Sequence, residues 1–369
     1  MHKPFFFRLL FLFFSIVAVA QTPKKPTASE IFHELQKLNF VGSALYIAAH
    51  PDDENTRLIS YLVNDVHANT AYLSITRGDG GQNLVGPELR ELLGVIRTQE
   101  LLAARKTDGG QQFFTRANDF GYSKNPDETF EFWTKNEVLH DVVMTIRKFK
   151  PDIIVNRFDH RSPGTTHGHH TASAMLSVQA FDMVDDASKF PKSANEYGVW
   201  KPQRLFFNTS WWFYGSQEKF EKADKKNLVT VETGNYFPAL GLSNGEIASL
   251  SRSMHKSQGF GSTGLLFSAE TVITMFLFSL KGSVSDVLQS SFPSEFFNDF
   301  KTTSEMLPQL LKAYPLVSNL KDTHWRNIKL EQLKQLILDC GGIFIEAVSE
   351  ANSINPNENF KVTVEAVNR

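Results

Sequence analysis

Between residues 29 and 183, short apolar runs alternate with segments of helical period, and no other feature restricts the possible folds as strongly. The runs 42–49 (GSALYIAA), 69–76 (NTAYLSIT), 111–115 (QQFFT) and 152–156 (DIIVN) are too short for helices and read as strands, 42–49 with apolar residues on both faces. Amphipathic segments flank and separate them: 31–38, 57–65, a long one over 88–106, 136–150 stopped by Pro151, and 170–183. Strands alternating with helices predict an α/β fold, a mostly parallel sheet with helices on both faces. Ligand sites in such sheets lie beyond the carboxyl ends of the strands. Further on, 203–210 reads as another strand, 243–256 as a capped helix and 300–350 as mostly helical. The stretch 271–282 is too short to span a membrane and reads as a buried element. The alternating pattern of 360–367 is a strand in need of a partner, either the start of a β-sandwich or an addition to an existing sheet.

The first twenty residues read as a secretory signal: Lys3 and Arg8, a short apolar stretch, then Ala18-Val19-Ala20 before Gln21. The expectation is an exported protein, periplasmic or secreted, with no stable membrane span after cleavage. A retained anchor is the alternative. The formal net charge is -2, and removal of Lys3 and Arg8 takes it to about -4, so no basic footprint points to nucleic acid. The one cysteine, Cys340, excludes an internal disulfide and any site built from several thiolates. A metal here must take nitrogen and oxygen ligands.

Two clusters carry such ligands, each directly after a strand. In 46–55 (YIAAHPDDEN) an apolar run drops into His50, Pro51, Asp52, Asp53 and Glu54. Pro51 suits the first position of a helix, and a helical turn would set His50 and Asp53 on one side with Asp52 pointing elsewhere. An ordinary acidic N-cap would look similar. In 165–173 (TTHGHHTAS), His167 and His170 are again three apart, at the start of the helix that follows 152–156. A polar loop is the plain alternative. Catalytic zinc sites use three protein ligands from His and Asp/Glu and leave one position for water. Together the clusters can supply His, Asp and His.

The AHPDDE segment after a strand, with H-x-x-H downstream, resembles the PIG-L (LmbE-like) family of zinc-dependent N-deacetylases. The resemblance extends over 76–83 (TRGDGGQN), 93–105, 118–123 (NDFGYS) and 251–261 (SRSMHKSQGFG), roughly residues 40–265. It implies a Rossmann-like deacetylase domain, assigned to residues 21–300; the sequence pattern adds a helical extension over 301–350 and a β-type tail over 351–369. The implied reaction is hydrolysis of an N-acetyl group on an amino sugar or glycoconjugate. The implied cofactor is one Zn2+ per chain, with other divalent metals suited to the same donors. By the same resemblance His50, Asp53 and His170 are metal ligands, Asp52 is the general base, and His167 polarises the acetyl carbonyl or stabilises the oxyanion. Arg97 and Asp119 match substrate-binding positions. Many members have H-x-D-H, whereas this chain has His169 in place of the Asp. That leaves open the charge state of His167, a replacement acid such as Asp159, and whether His169 or His170 is the ligand.

Other features have plainer readings. The Gly-rich 76–83 lacks phosphate-loop spacing and reads as a flexible loop lining the pocket. Arg97, on a Leu-rich helix, could equally be a solvated or salt-bridged arginine. The aromatic run 209–214 (TSWWFY) reads as core, with sugar stacking as the sharper idea; His255, Lys256 and Gln258 could face substrate. A silent carbohydrate-binding protein on the same fold is the competing function. A two-metal phosphoesterase is a further rival, but this ligand set supplies one metal.

Overall fold

The computed structural model describes residues 26–162, 165–261, 272–280 and 303–368, so the expected signal at 1–20 lies outside the described residues. In chain order the elements are α1 (Ala28–Asn39), β1 (Ser43–Ala48), α2 (Thr56–Asn64), β2 (Asn69–Ser74), α3 (Glu91–Asp108), β3 (Gln111–Phe114), α4 (Pro126–Phe132), α5 (Lys135–Phe149) and β4 (Ile153–Asn156). Then come α6 (Gly168–Met183), α7 (Pro191–Tyr197), β5 (Arg204–Thr209), α8 (Gln217–Lys222), β6 (Leu228–Glu232), β7 (Tyr236–Phe237), β8 (Leu242–Ser243), α9 (Asn244–Arg252), β9 (Val272–Leu280), α10 (Thr303–Ser318), α11 (Thr323–Cys340), β10 (Ile343–Ser349) and β11 (Val362–Asn368).

The central sheet runs β3-β2-β1-β4-β5-β9-β6. Its first five strands are parallel; β9 and β6 complete it antiparallel. The α/β fold is therefore as expected. The period of two along β1 explains the layers. Leu45 and Ile47 face the core shared with α5 and α6. Ala44, Tyr46 and Ala48 face the one shared with α2 and Leu101 of α3. Complete burial of each such Leu or Ile contributes about 1.5–3 kcal/mol. From β1 the chain winds outward to β2 on one side and later to β4 on the other, so the strand order reverses between β1 and β4. Both polar clusters emerge at this switch point, the usual ligand position in open α/β sheets.

Three expectations need correction. HPDDE is a turn, not a helical start. Asp52 has φ 85°, which a continuing helix does not allow, and α2 begins at Thr56, where the Asn55 side chain accepts from the Leu58 N–H at 3.1 Å. The segment 88–106 becomes helical at Glu91, after Arg90 at φ 54°, and closes at Gly109 with φ 83°. The last part of 300–350 is strand. β10 pairs with β11 in an antiparallel ribbon of its own, so the tail finds its partner in the preceding strand and not in the central sheet. Ile345, Val348, Val362 and Val364 of this ribbon are exposed.

The helices α10 and α11 pack on α1 around Ile31, Leu35, Leu310, Leu333 and Leu336. They thus share a core with the start of the described chain. No helix among the described residues is long and apolar enough to cross a membrane.

Candidate metal centre

His50 follows the carboxyl end of β1, and its carbonyl accepts from the Tyr72 hydroxyl of β2 at 2.5 Å. Three residues later Asp53 turns back on it. One Asp53 oxygen accepts from the His50 N–H at 2.8 Å and lies 3.1 Å from His50 Nδ1; the other lies 3.6 Å from His170 Nε2. His170 comes from the first turn of α6, after β4. It is held flat against Phe158, with ring centroids 3.9 Å apart and planes 4° from parallel. Gly168 at the start of α6 packs against Ser123 and the Asn125 backbone so closely that a Cβ has no room, which fixes where the helix begins.

Donor atoms of His50, Asp53 and His170 all lie within 4.8 Å of one another. His50, His167 and His169 form a second such group. The two differ in access. Asp53 and His170 line a cavity of about 880 Å³, whereas His169 is wholly buried against Phe120 and Trp133. Two side chains of the first group face the cavity, against one, His167, in the second, and a catalytic site needs an open corner.

Burial works against the Asp53 carboxylate, yet His170 and His50 hold it well below the usual range. Burial pushes His170 down to about 4 against the pull of Asp53. An incoming cation therefore meets an ionised carboxylate and a neutral imidazole, and this donor set fits a divalent metal. Burial would also lower His50, but the hydrogen bond and charge of Asp53 and the charge of Asp119 raise it.

Asp52 lines the same cavity. Its carboxylate is raised to about 6, mainly by burial and partly by Asp53, with Arg97 opposing. His167 caps α6, its Nδ1 accepting from the His169 N–H at 3.1 Å, so in the neutral ring the proton sits on Nε2. Burial, then the charge of His50, lower its pKa. Asp159 does not partner it: that carboxylate is engaged by Arg161 at 2.8 Å. The acid beside the histidines is Asp119, 3.6 Å from His169 and 3.9 Å from His50.

Residues 45–181 match the family described as PIG-L, GlcNAc-PI de-N-acetylase. These residues form a PIG-L domain. Similar solved structures include N,N'-diacetylchitobiose deacetylase from Pyrococcus horikoshii, 17% identical with a TM-score of 0.42 over 64% of this chain and 82% of that one. A triple mutant of a deacetylase of teicoplanin biosynthesis is 15% identical, TM-score 0.39, over 66% and 100%. The 4-carboxy-2-hydroxymuconate hydratase of Pseudomonas putida is 14% identical, TM-score 0.41, over 67% and 99%. No curated protein matches significantly.

The PIG-L domain keeps Arg97 and Asp119 buried and off the cavity wall. Arg97 donates to the Pro51 carbonyl at 2.6 Å, to Asp52 Oδ1 at 3.0 Å and to the Gly78 carbonyl at 3.2 Å, which is the salt-bridged alternative. The 76–83 loop accordingly packs behind the site and does not line it: Gly80 lies directly against the Asp119 and Gly121 backbone.

Support also comes from outside the matched residues. Glu54 is fully buried and accepts from the Asp52 N–H at 2.9 Å. Its other oxygen is 2.8 Å from His255 Nε2 and 3.3 Å from Arg105. His255, one of the residues that could have faced substrate, is therefore a buried clamp. Trp211 and Trp212 are about half exposed, not core; Trp212 and Phe213 form one wall of the cavity. Sequence reasoning passed over Glu54, Arg105 and Arg157. The signal for Glu54 was its place in DDE, but nothing local marks its partners.

Proposed function

We propose that this chain is a metal-dependent de-N-acetylase, a hydrolase that removes an N-acetyl group from an amino sugar or glycoconjugate. The observation that carries the reading is the Asp53 carboxylate shared between His50 and His170, beside Asp52, on the wall of one large cavity. His50, Asp53 and His170 would hold the cation, with zinc the proposed ion. A divalent metal supplies Lewis acidity there and eases deprotonation of water from pKa 15.7 towards about 7.

The remaining work falls to the chain's own groups. Asp52 takes the proton of the attacking water and passes it to the departing amine. Arg97 holds one Asp52 oxygen, which leaves the other to face the cavity. His167 donates from Nε2 to the acetyl oxygen as negative charge develops, an interaction worth about 10²–10³ in rate. Trp212 and Phe213 offer aromatic faces to the sugar. Arg97 and Asp119 act in this reading by positioning Asp52 and the histidines. The leader-like residues 1–20 place the activity outside the cytoplasm in the same proposal.

Metal analysis and acetate release together test it. Asp52→Ala is expected to keep about one metal per chain and lose about 10²–10⁴ in rate. Asp53→Ala is expected to lose both. Full metal retention by Asp53→Ala overturns the ligand assignment. Sugar binding by the metal-loaded wild type with no acetate released identifies a silent binding protein.

A further inference from the structure

Beyond the metal centre, the cavity wall carries a surplus of cations that the deacetylation chemistry leaves unused. Arg157 just after β4 and Arg252 at the end of α9 both line it. The face of α9 is built to expose that charge: Gly245, Ala248 and Ser249 precede Arg252 at helical spacing, and their small side chains leave the space open. Arg157 lies 5.9 Å from the Phe158 ring and 5.8 Å from the Phe213 ring. Arg252 sits 4.0 Å over Phe260, with Nη1 3.4 Å from the Asp52 carbonyl.

Among the described residues, no carboxylate forms an ion pair with Arg157 or Arg252. The cavity's own acids are engaged elsewhere: Asp52 with Arg97, Asp53 with two histidines, Glu54 with His255 and Arg105. General basicity does not explain the surplus, because the whole chain is at -2. A contact with an aromatic ring gives an arginine about 0.5–1 kcal/mol or more, and it leaves the guanidinium edge, with its donors, free for a ligand. Planar donors of this kind suit an oxyanion with two or more oxygens.

We infer that the cavity selects N-acetylamino sugars carrying an anionic substituent, a carboxylate, sulfate or phosphate, which Arg157 and Arg252 hold while the acetamide faces the metal centre. This specificity rests on the deacetylase reading, but it can fail separately. The anion lies on the Phe158 and α9 side, so the sugar ring spans the gap between those arginines and Asp52.

The test measures equilibrium binding to metal-loaded wild type and Asp52→Asn by titration calorimetry. The probes are N-acetylglucosamine, its 6-sulfate, its 6-phosphate and N-acetylmuramic acid. At low salt at least one anionic sugar is expected to bind about tenfold or more tightly than the neutral one, with the advantage shrinking as salt rises. Arg157→Gln and Arg252→Gln are each expected to reduce the anionic-to-neutral affinity ratio by about tenfold. The probe with the largest ratio identifies the anion. Equal affinity for neutral and anionic sugars, no binding of any probe, or a ratio indifferent to both substitutions overturns the inference. Acetate release by the wild type is scored independently: anionic preference without release sinks the deacetylase reading and keeps the anion site, and release without preference does the reverse.

Discussion

Around the ends of β1 and β4, buried charges come in partnered sets: Asp53 with His50 and His170, Asp52 with Arg97, Glu54 with His255 and Arg105. The layer of α1, α10 and α11 is built the other way. Its core is Leu35, Leu310, Leu333 and their neighbours, with one buried cation, Lys329, whose Nζ donates to two neutral oxygens, the Lys37 carbonyl at 2.8 Å and Gln332 Oε1 at 2.9 Å. Glu54 stays ionised because its partners outweigh burial and bring it down to about 2. Burial brings Lys329 down to about 7, against the upward pull of the Glu34 charge. A low-dielectric interior keeps a charge when geometry supplies its opposite and gives it up otherwise. The site region therefore fixes directions, and the helical layer fixes volume.

The contrast breaks most visibly at Glu54. Glu54→Gln leaves His255 without its buried carboxylate and Arg105 with Asp108 alone, and is expected to cost about 3–5 kcal/mol in urea unfolding. Acetate release should fall with it, because the Asp52 N–H loses its charged acceptor. A variant as stable and as active as the wild type would make the network decoration. The next largest effect is expected at Leu333→Ala, about 2–5 kcal/mol of lost stability. Its kcat/KM should stay within about twofold of wild type below its unfolding transition, since Leu333 lies in the helical layer; a large loss of activity in the folded variant would mean the two regions are coupled. The remaining effect concerns pH. Between about 7 and 10.5 the unfolded chain holds a proton on residue 329 that the folded chain has released, so Lys329 makes stability rise with pH across that window. Lys329→Met should remove this rise, and a stability difference between the two proteins that is flat from pH 7 to about 10 would refute the assignment.

The alternation of strands and helices was legible because each period is a local property of a few consecutive residues. The clustering of candidate donors was legible for the same reason: His50 with Asp53, and His167 with His170, are each three apart. Misreadings arose where a local pattern imitates another. Pro51 followed by acids looks like a helix start, but the left-handed Asp52 prevents it. The supports were illegible because they are distant in sequence. His255 reaches Glu54 across 201 positions, and Arg105 reaches it across 51. Both lie in stretches that carry the family resemblance, 93–105 and 251–261, but nothing in those stretches points to Glu54, and only the packing of α3 and α9 against the site brings them there. The ribbon of β10 and β11 was half legible: the alternation in 360–367 was plain, whereas 343–349 continues a helical stretch without punctuation apart from Gly341 and Gly342.

Residue 52 is moored on several sides. Glu54 takes its amide hydrogen, Arg252 approaches its carbonyl, Arg97 grips one carboxylate oxygen, and the backbone between them is bent into a left-handed kink. A side chain tied at so many points has almost no swing left. In the proposed deacetylation, substrates of different length cannot be met halfway, and each must bring its own acetamide to a stationary oxygen.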